Sequence, residues 1–357
     1  MRETAMVKPI ETDELLIEVQ EGFGWITLNR PKALNALSLS MIRDLGELLK
    51  IWEGDSSIKA IIIQGAREKA FCAGGDVRAV YEARKAGNLQ FCDAFFRDEY
   101  TLNTHIYLYG KPYVALINGI AMGGGLGISV NGSHRIVTER ALLAMPETGI
   151  GFFPDVGGTN FLSNAPGVIG LYLGLTGTHL KAEDALWSGL ATHFMPSSSL
   201  LHFIDALREG QPLEDALGMY CQEPQEEGFL EHHYSQIEDH FNQSSLSAIL
   251  KSLENDPSPF AQNTYNTLRS KSPMSLSVVF RQLTEVKSDF VRRIQREFRL
   301  CQHFVQGHDF MEGIRSVLVD KDHLPCWKPA VVEDITPEEI DYYFSSLGDK
   351  ELIVQRK

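Results

Sequence analysis

The segment MPETGIGFFPDVGG, Met145 to Gly158, sets two carboxylates, Glu147 and Asp155, among apolar residues, glycines and two prolines. Buried segments exclude ionisable groups unless these are paired or put to use, and surface loops are rarely this apolar. Pro146, Gly149, Gly151 and Pro154 rule out a helix that would stack the two acids on one face. Only a loop folded back on itself brings them together. Beside Phe152 and Phe153 a carboxyl group is expected to titrate closer to neutrality, which suits it to acid–base or nucleophilic work. The structural alternative makes Asp155 the cap of a helix starting near Gly157, and Glu147 a cap or ion-pair partner at its own turn.

Two glycine runs complete the picture. In AMGGGLGISV, Gly123, Gly124 and Gly125 lie where a strand turns into a helix, so backbone N–H groups at a positive helix end are available to an anion. FCAGGD repeats the plan with Gly74 and Gly75. Two such turns facing each other offer one N–H each to a single oxygen, the arrangement that stabilises the oxyanion formed when a thioester or ester carbonyl is attacked. Taken singly, either run only permits a tight turn or close packing. Other chemistries lack their signatures: there is no GxSxG nucleophile elbow and no HExxH. The eleven histidines, with His232-His233 and the His303/His308 pair among them, form no compact ligand set, so no metal is expected. Glu99, in RDEYTLN, lies on a helix whose other face is apolar, and that pattern alone points it at solvent.

The elements that must position these residues follow from periodicity. LLIEVQEGFGWITLN reads as a β-hairpin around Glu21-Gly22-Phe23-Gly24. From Ser38 to Trp52 the spacing predicts a helix capped by Ser38, with Leu39, Ile42, Leu45, Leu48, Leu49 and Trp52 as its apolar stripe. The strand KAIIIQG leads into FCAGGD, a helical stretch covers Val77 to Tyr109, the strand PYVALINGI leads into AMGGGLG, and HRIVTER precedes the acid segment. Strands ending in glycines and followed by helices indicate an α/β layered domain over residues 1–200. It is not the Rossmann plan, since neither glycine run supplies GxGxxG after the first strand. Residues 201–357 read as a helical region, in which the acidic segment Gln211 to Asn255 looks like a solvated excursion with little core of its own. DFVRRIQREFRLCQHFVQG is a further helix.

A chain of 357 residues with 43% hydrophobic and 22% charged content buries a sizeable core, and no apolar run approaches a membrane span. The beginning, MRETAMVKPIETDELL, has no apolar signal core, and the ending Gln355-Arg356-Lys357 is not a peroxisomal signal. Five scattered cysteines, none in a CxxC pair, fit a reducing cytoplasm. A net charge of −14 disfavours nucleic acid and anionic membrane as partners, while leaving room for a local phosphate contact. Arg30, Lys32 and Lys69 flank the first motifs and are candidates for it.

Together the motifs resemble the crotonase superfamily of acyl-CoA enzymes and, within it, the 3-hydroxyisobutyryl-CoA hydrolases. The resemblance runs through LNRPKALNAL, FCAGGD, RDEYTLN, INGIAMGGGLG and MPETGIGFFPDVGGT, and resumes at DFMEGIRSVLVDKDHLPCWKP, Asp309 to Pro329. It implies a spiral of repeated ββα units with a C-terminal helical region completing the acyl-CoA site. It further implies an oxyanion hole from the N–H groups of Gly75 and Gly124, a catalytic pair in Glu147 and Asp155, and a substrate contact at Glu99. Enoyl-CoA hydratases carry a second catalytic glutamate where this chain has Gly127, and lack an acid at the place of Asp155. The implied reaction is thus hydrolysis of a short 3-hydroxyacyl-CoA, as in valine breakdown, with no cofactor beyond the coenzyme A of the substrate. The only implied partner is that small molecule, and a homo-oligomer is left open. A hydratase or isomerase of the same fold, or a non-catalytic acyl-CoA-binding subunit, are the alternatives.

Overall fold

In the computed structural model, residues 12–285 and 288–354 are described, so the polar beginning and the last three residues fall outside the described part. Strand β1 (Leu15–Gln20) pairs antiparallel with β2 (Phe23–Leu28), with Gln20 opposite Phe23. The connecting turn is therefore only Glu21-Gly22. Both residues have positive φ, 52° and 85°, the backbone twist that lets a two-residue loop join twisted strands. Phe23 and Gly24, read from sequence as turn residues, belong to β2. Gly24 is needed there because a Cβ would lie 2.5 Å from the Trp52 ring.

Beyond the hairpin the chain alternates between two sheets. β3 (Ala60–Gly65), β5 (Tyr113–Ile117), β7 (His134–Val137) and β9 (His193–Phe194) extend the first sheet in parallel, in the order β1-β2-β3-β5-β7-β9. The three-residue strands β4 (Ala70–Cys72), β6 (Ile120–Met122) and β8 (Leu142–Ala144) form the second sheet. β3, β5 and β7 of the first sheet are each followed by a short strand of the second and then by helix, and this produces the spiral of ββα units. Three-residue strands are too short to show period-two alternation, so sequence reading merged them with the glycine turns that follow.

Helix α1 (Leu39–Gly54) buries Met41, Ile42, Leu45, Leu48, Leu49 and Trp52, and the Ser38 hydroxyl accepts the Met41 N–H at 3.1 Å. The single helix expected from Val77 to Tyr109 is two, α2 (Val77–Lys85) and α3 (Leu89–Tyr107). Gly87 turns the chain with φ 78°, and the Asn88 side chain caps α3 by accepting the Phe91 N–H at 3.1 Å. After β6 comes the single turn α4 (Gly124–Gly127), and after β8 come α5 (Gly158–Ser163), α6 (Ile169–Thr176) and α7 (Ala182–Trp187).

The reading of Gln211 to Asn255 as a solvated excursion is corrected. α8 (Ser197–Arg208) and α9 (Leu213–Tyr220) cover one face of the first sheet, where Phe203, Leu207, Leu213 and Leu217 meet Trp25, Ile62, Val114 and Ile136. α10 (Phe229–His232), α11 (Tyr234–Phe241) and α12 (Leu246–Asn255) add Leu230, Ile237, Phe241 and the Leu246, Ile249, Leu250, Leu253 stripe to the main core. Such stripes need few apolar residues, and the charged outer faces hid them from a reading by composition. α13 (Pro259–Ser270), α14 (Pro273–Thr284), α15 (Phe290–Gln306), α16 (His308–Ile314) and α17 (Pro337–Phe344) follow, and the main core draws buried residues from both sides of residue 200, from Leu15 to Leu352. Among the described residues no helix is long and apolar enough to cross a membrane.

Candidate active site

The two glycine turns meet. Gly123 enters α4 with φ 48°, Gly74 leaves β4 with φ 117°, and a Cβ on Gly124 would lie 2.9 Å from the Gly75 nitrogen. Gly124 is the first residue of its helix, where the N–H has no acceptor within the helix. Both nitrogens border a cavity of about 500 Å³ whose wall also holds Glu99, Glu147, Asp155 and Phe152. The turns expected separately at the ends of two strands are neighbours because β4 and β6 are paired in parallel.

Three acids converge on this cavity, with 2%, 6% and 5% of Glu99, Glu147 and Asp155 exposed. Glu147 opens a short 3₁₀ turn, Glu147–Ile150, after Pro146. Its Oε1 rests against the Gly123-Gly124 turn, 2.7 Å from where a Cβ on Gly123 would be, and its buried Oε2 has no partner among the described residues. Glu99 reaches the same turn from α3: its Oε1 lies 2.5 Å from a Cβ built on Gly124, and it too is unpaired. The solvent-facing position that the helix pattern predicts for Glu99 is corrected, since the two glycine turns pack against it, its Oε1 also lying 3.5 Å from a Cβ built on Gly75. Asp155 accepts a hydrogen bond of 2.6 Å from the fully buried Tyr100 hydroxyl.

Neither acid of the opening segment is a helix cap. The N–H groups of Gly157 and Thr159, at the start of α5, donate to Glu297 Oε2 and Oε1 at 2.7 and 2.8 Å. Glu297, on α15, is a carboxylate from the far end of the chain, and it leaves Asp155 free for the cavity.

Burial pushes all three carboxyls toward the protonated form. Glu99 and Glu147 are held well above the usual carboxylate range by burial first and then by the charge of Asp155. Asp155 is raised from 3.8 to about 7 by burial, with the Tyr100 hydrogen bond opposing and Glu297 adding to the rise. A folded-state value above the unfolded one means that the native state gives up this proton less readily than the unfolded chain. Stability is then lost as pH rises from about 4 through about 7, and the full cost is present above that. Asp155→Asn, which keeps an acceptor for Tyr100, is expected to melt a few degrees above the unaltered protein at about pH 8, with the margin shrinking toward about pH 5.5. Thermal melts across that range test it, and a margin that does not change with pH refutes it.

Gly127 answers to packing. A Cβ there would lie 2.6 Å from Val156 Cβ and 2.8 Å from Asn103 Nδ2, so no glutamate fits at this position.

The three candidate phosphate contacts do not line the acid cavity. Arg30 is tied to Glu14 at 2.9 Å, Asp76 at 3.1 Å and the Ala36 carbonyl at 2.7 Å. Arg30, with its side chain 23% exposed, is thus paired within the protein. Lys32 and Lys69 are exposed and border another cavity of about 380 Å³, together with Arg67, which the motifs do not single out. Sequence reading also missed Tyr100, next in the chain to Glu99, and Glu297 and Lys271, which carry no motif signal. Among the described residues no group of His, Cys, Asp and Glu is arranged to hold a metal.

The profile of the enoyl-CoA hydratase/isomerase family matches residues 23–344. The mitochondrial 3-hydroxyisobutyryl-CoA hydrolase of Rattus norvegicus is 46% identical over 97% of this chain and 92% of its own length. The Homo sapiens protein of that name is 44% identical over 95% and 90%. Among solved structures, a carnitinyl-CoA dehydratase from Mycobacterium thermoresistibile superposes with a TM-score of 0.91 at 37% identity, covering 97% of this chain and 100% of that one. An enoyl-CoA hydratase from Rhodobacter sphaeroides 2.4.1 gives 0.89 at 35%, over 95% and 99%. Two adjoining glycine turns, an acid pair beside them and near full-length likeness agree: the chain belongs to the enoyl-CoA hydratase/isomerase family and, within it, to the family of the 3-hydroxyisobutyryl-CoA hydrolases.

Proposed function

We propose that this protein hydrolyses the thioester of a short 3-hydroxyacyl-CoA, 3-hydroxyisobutyryl-CoA foremost, to the free acid and coenzyme A, a step of valine breakdown. The observation that carries the reading is Glu147: a buried carboxylate with an unpaired oxygen, pressed against the Gly123-Gly124 turn. The thioester carbonyl oxygen takes the N–H groups of Gly75 and Gly124, which favour the charge it acquires. Glu147 either removes a proton from water as it adds to the thioester carbon, or adds to that carbon itself and forms an anhydride that water then opens. In both routes the C–S bond breaks and one water is consumed. In the first, water gives its oxygen to the acyl carbon and its proton, through Glu147, to the leaving thiolate. In the second, the thiolate leaves as the anhydride forms, and the water that then opens the anhydride at either carbonyl regenerates Glu147, releases the acid and supplies the thiolate's proton. Asp155, held by Tyr100, orients the water or the substrate hydroxyl and shares the proton transfers, while Glu99 contacts the acyl group. Residues 1–200 supply this machinery and residues 201–357 complete the site, a division supported by Lys271, Ser316 and His323 in the cavity wall.

Coenzyme A enters as part of the substrate, and the proposal includes no metal and no further cofactor. Lys32 and Lys69, with their neighbour Arg67, are the proposed contacts for its phosphates. A reducing compartment is proposed as well, the cytoplasm; five free thiols support a reducing setting, and the relatives named above carry "mitochondrial" in their names.

A hydratase or dehydratase reading is favoured by the names of the two solved structures. It would leave the thioester whole and move water at carbons two and three, and the closed position at Gly127 counts against it. Purified protein given 3-hydroxyisobutyryl-CoA in the presence of EDTA is expected to release one free thiol per thioester lost. A thioester that survives while its carbons two and three exchange water would replace this proposal with the second one.

A further inference from the structure

Three buried carboxyl groups facing one cavity pose an electrostatic problem. A base or nucleophile works only when ionised, whereas burial holds Glu99 on α3, Glu147 in its 3₁₀ turn and Asp155 before α5 against ionisation, and the charge of Asp155 adds to this at Glu99 and Glu147. Among the described residues lining the cavity, Lys271 is the one Lys or Arg. It sits half-buried in the junction between α13 and α14, and its ammonium makes no hydrogen bond or ion pair among the described residues. The junction is anchored to the very turn that carries Glu147: the Ser272 N–H donates to the Thr148 carbonyl at 3.1 Å. The Ser272 hydroxyl donates to Asp309 Oδ2 at 2.6 Å and accepts the Ser275 N–H at 3.1 Å. A Cβ on Gly149 would lie 3.3 Å from Lys271 Nζ, which places the ammonium against the 3₁₀ turn of Glu147. A long amphipathic side chain ordinarily extends its charge into water, and here a backbone anchor holds it over a cavity of acids.

We propose that Lys271 is a positioning residue for the hydrolysis, the counter-charge that favours ionisation of Glu147 against its burial and so helps set the acid limit of activity. This rests on the hydrolase reading above. The electrostatics agree with the geometry, since Lys271 draws the Glu147 carboxyl back down against burial and Asp155, and Glu147 in turn draws the ammonium up against its own burial. Other groups around Glu147 do not supply this charge. From α16, Asp309 is held by Ser272 and its Oδ1 lies 3.1 Å from His308 Nδ1. From α6, the Tyr172 hydroxyl is bonded to Thr178. Glu297 and Tyr100 face Asp155, and His323 lies in the exposed loop beyond α16.

The test is the pH profile of kcat/KM for the unaltered protein, Lys271→Met, Lys271→Gln and Lys271→Arg. It is run on 3-hydroxyisobutyryl-CoA and on the matching N-acetylcysteamine thioester, which has no phosphates. Both neutral variants are expected to move the acid limb up by about one pH unit, because removing a nearby opposite charge raises a carboxyl by roughly that much. Near pH 6 this is a loss of roughly tenfold with either substrate, and Lys271→Arg is expected to recover most of it. An acid limb that stays in place overturns the proposal, and so does a loss confined to the coenzyme A substrate, which would make Lys271 a phosphate contact. Absence of thiol release from the unaltered protein overturns the hydrolase reading together with this one. Release with an unmoved limb overturns this one alone.

Discussion

Glu147→Gln is expected to lower thiol release from 3-hydroxyisobutyryl-CoA by about 10³-fold, since removing a group that acts directly on the reacting carbon takes away most of its general-base or nucleophilic contribution. The same substitution should leave the fold intact or firmer. Glu147 has an unpaired, buried oxygen and a carboxyl pushed upward by burial, so a neutral amide of the same shape removes a cost of folding. The pairing with Asp155 sharpens the test. Both acids face one cavity, and the charge of Asp155 is felt at Glu147. In a single mechanism, Glu147→Gln combined with Asp155→Asn is scarcely slower than the worse single variant, as groups acting together are strongly non-additive. Independent roles would give losses that multiply. Near-normal hydrolysis by Glu147→Gln, in a protein that melts normally, removes the centre of the proposed mechanism.

The second large effect is expected at Gly124. A side chain there meets Glu99 Oε1 at 2.5 Å and the Gly75 nitrogen at 2.9 Å, so Gly124→Val fills the place where the carbonyl oxygen is to sit between two donors. Loss of one oxyanion donor costs about 10²–10³ in rate, and displacement of both should reach the upper end. The neighbouring glycine provides the contrast. A Cβ on Gly125 would lie 2.1 Å from the Cys72 carbonyl oxygen, a clash with the backbone of β4. Gly125→Ala is therefore expected to fail first in thermal stability, and Gly124→Val first in turnover. Measuring melting temperature and thiol release for both separates a glycine that serves chemistry from one that serves packing. A Gly124→Val protein that hydrolyses normally would falsify the oxyanion assignment.

Much of the frame is legible in the order of the amino acids alone. Ser38 followed by an apolar stripe at helical spacing specifies α1 and its cap, because capping and amphipathicity are properties of contiguous residues. The same holds for the hairpin and for the glycine turns after β4 and β6. Where the pattern misleads, the cause is also physical. The break between α2 and α3 rests on the positive φ of Gly87 and the cap at Asn88, two residues in a run otherwise rich in helix formers. The buried stripes of α9 to α12 are outvoted by the charges on their outer faces.

What the sequence by itself determined is the local chemistry: glycines where two backbones must approach, and two acids in a loop too apolar for ordinary surface. Tertiary structure decided which of these groups share a cavity and what else faces them. Parallel pairing of β4 with β6 sets Gly75 beside Gly124. Packing of the two glycine turns against α3 buries Glu99, which the helix pattern points at solvent. Glu297 takes over the start of α5 across 140 positions of chain, and the anchor from Ser272 to Thr148 brings Lys271 to the acids. Local periodicity says which face of an element is buried; it holds no information on what a distant element will place against that face, and a buried carboxyl takes its pKa from that distant partner.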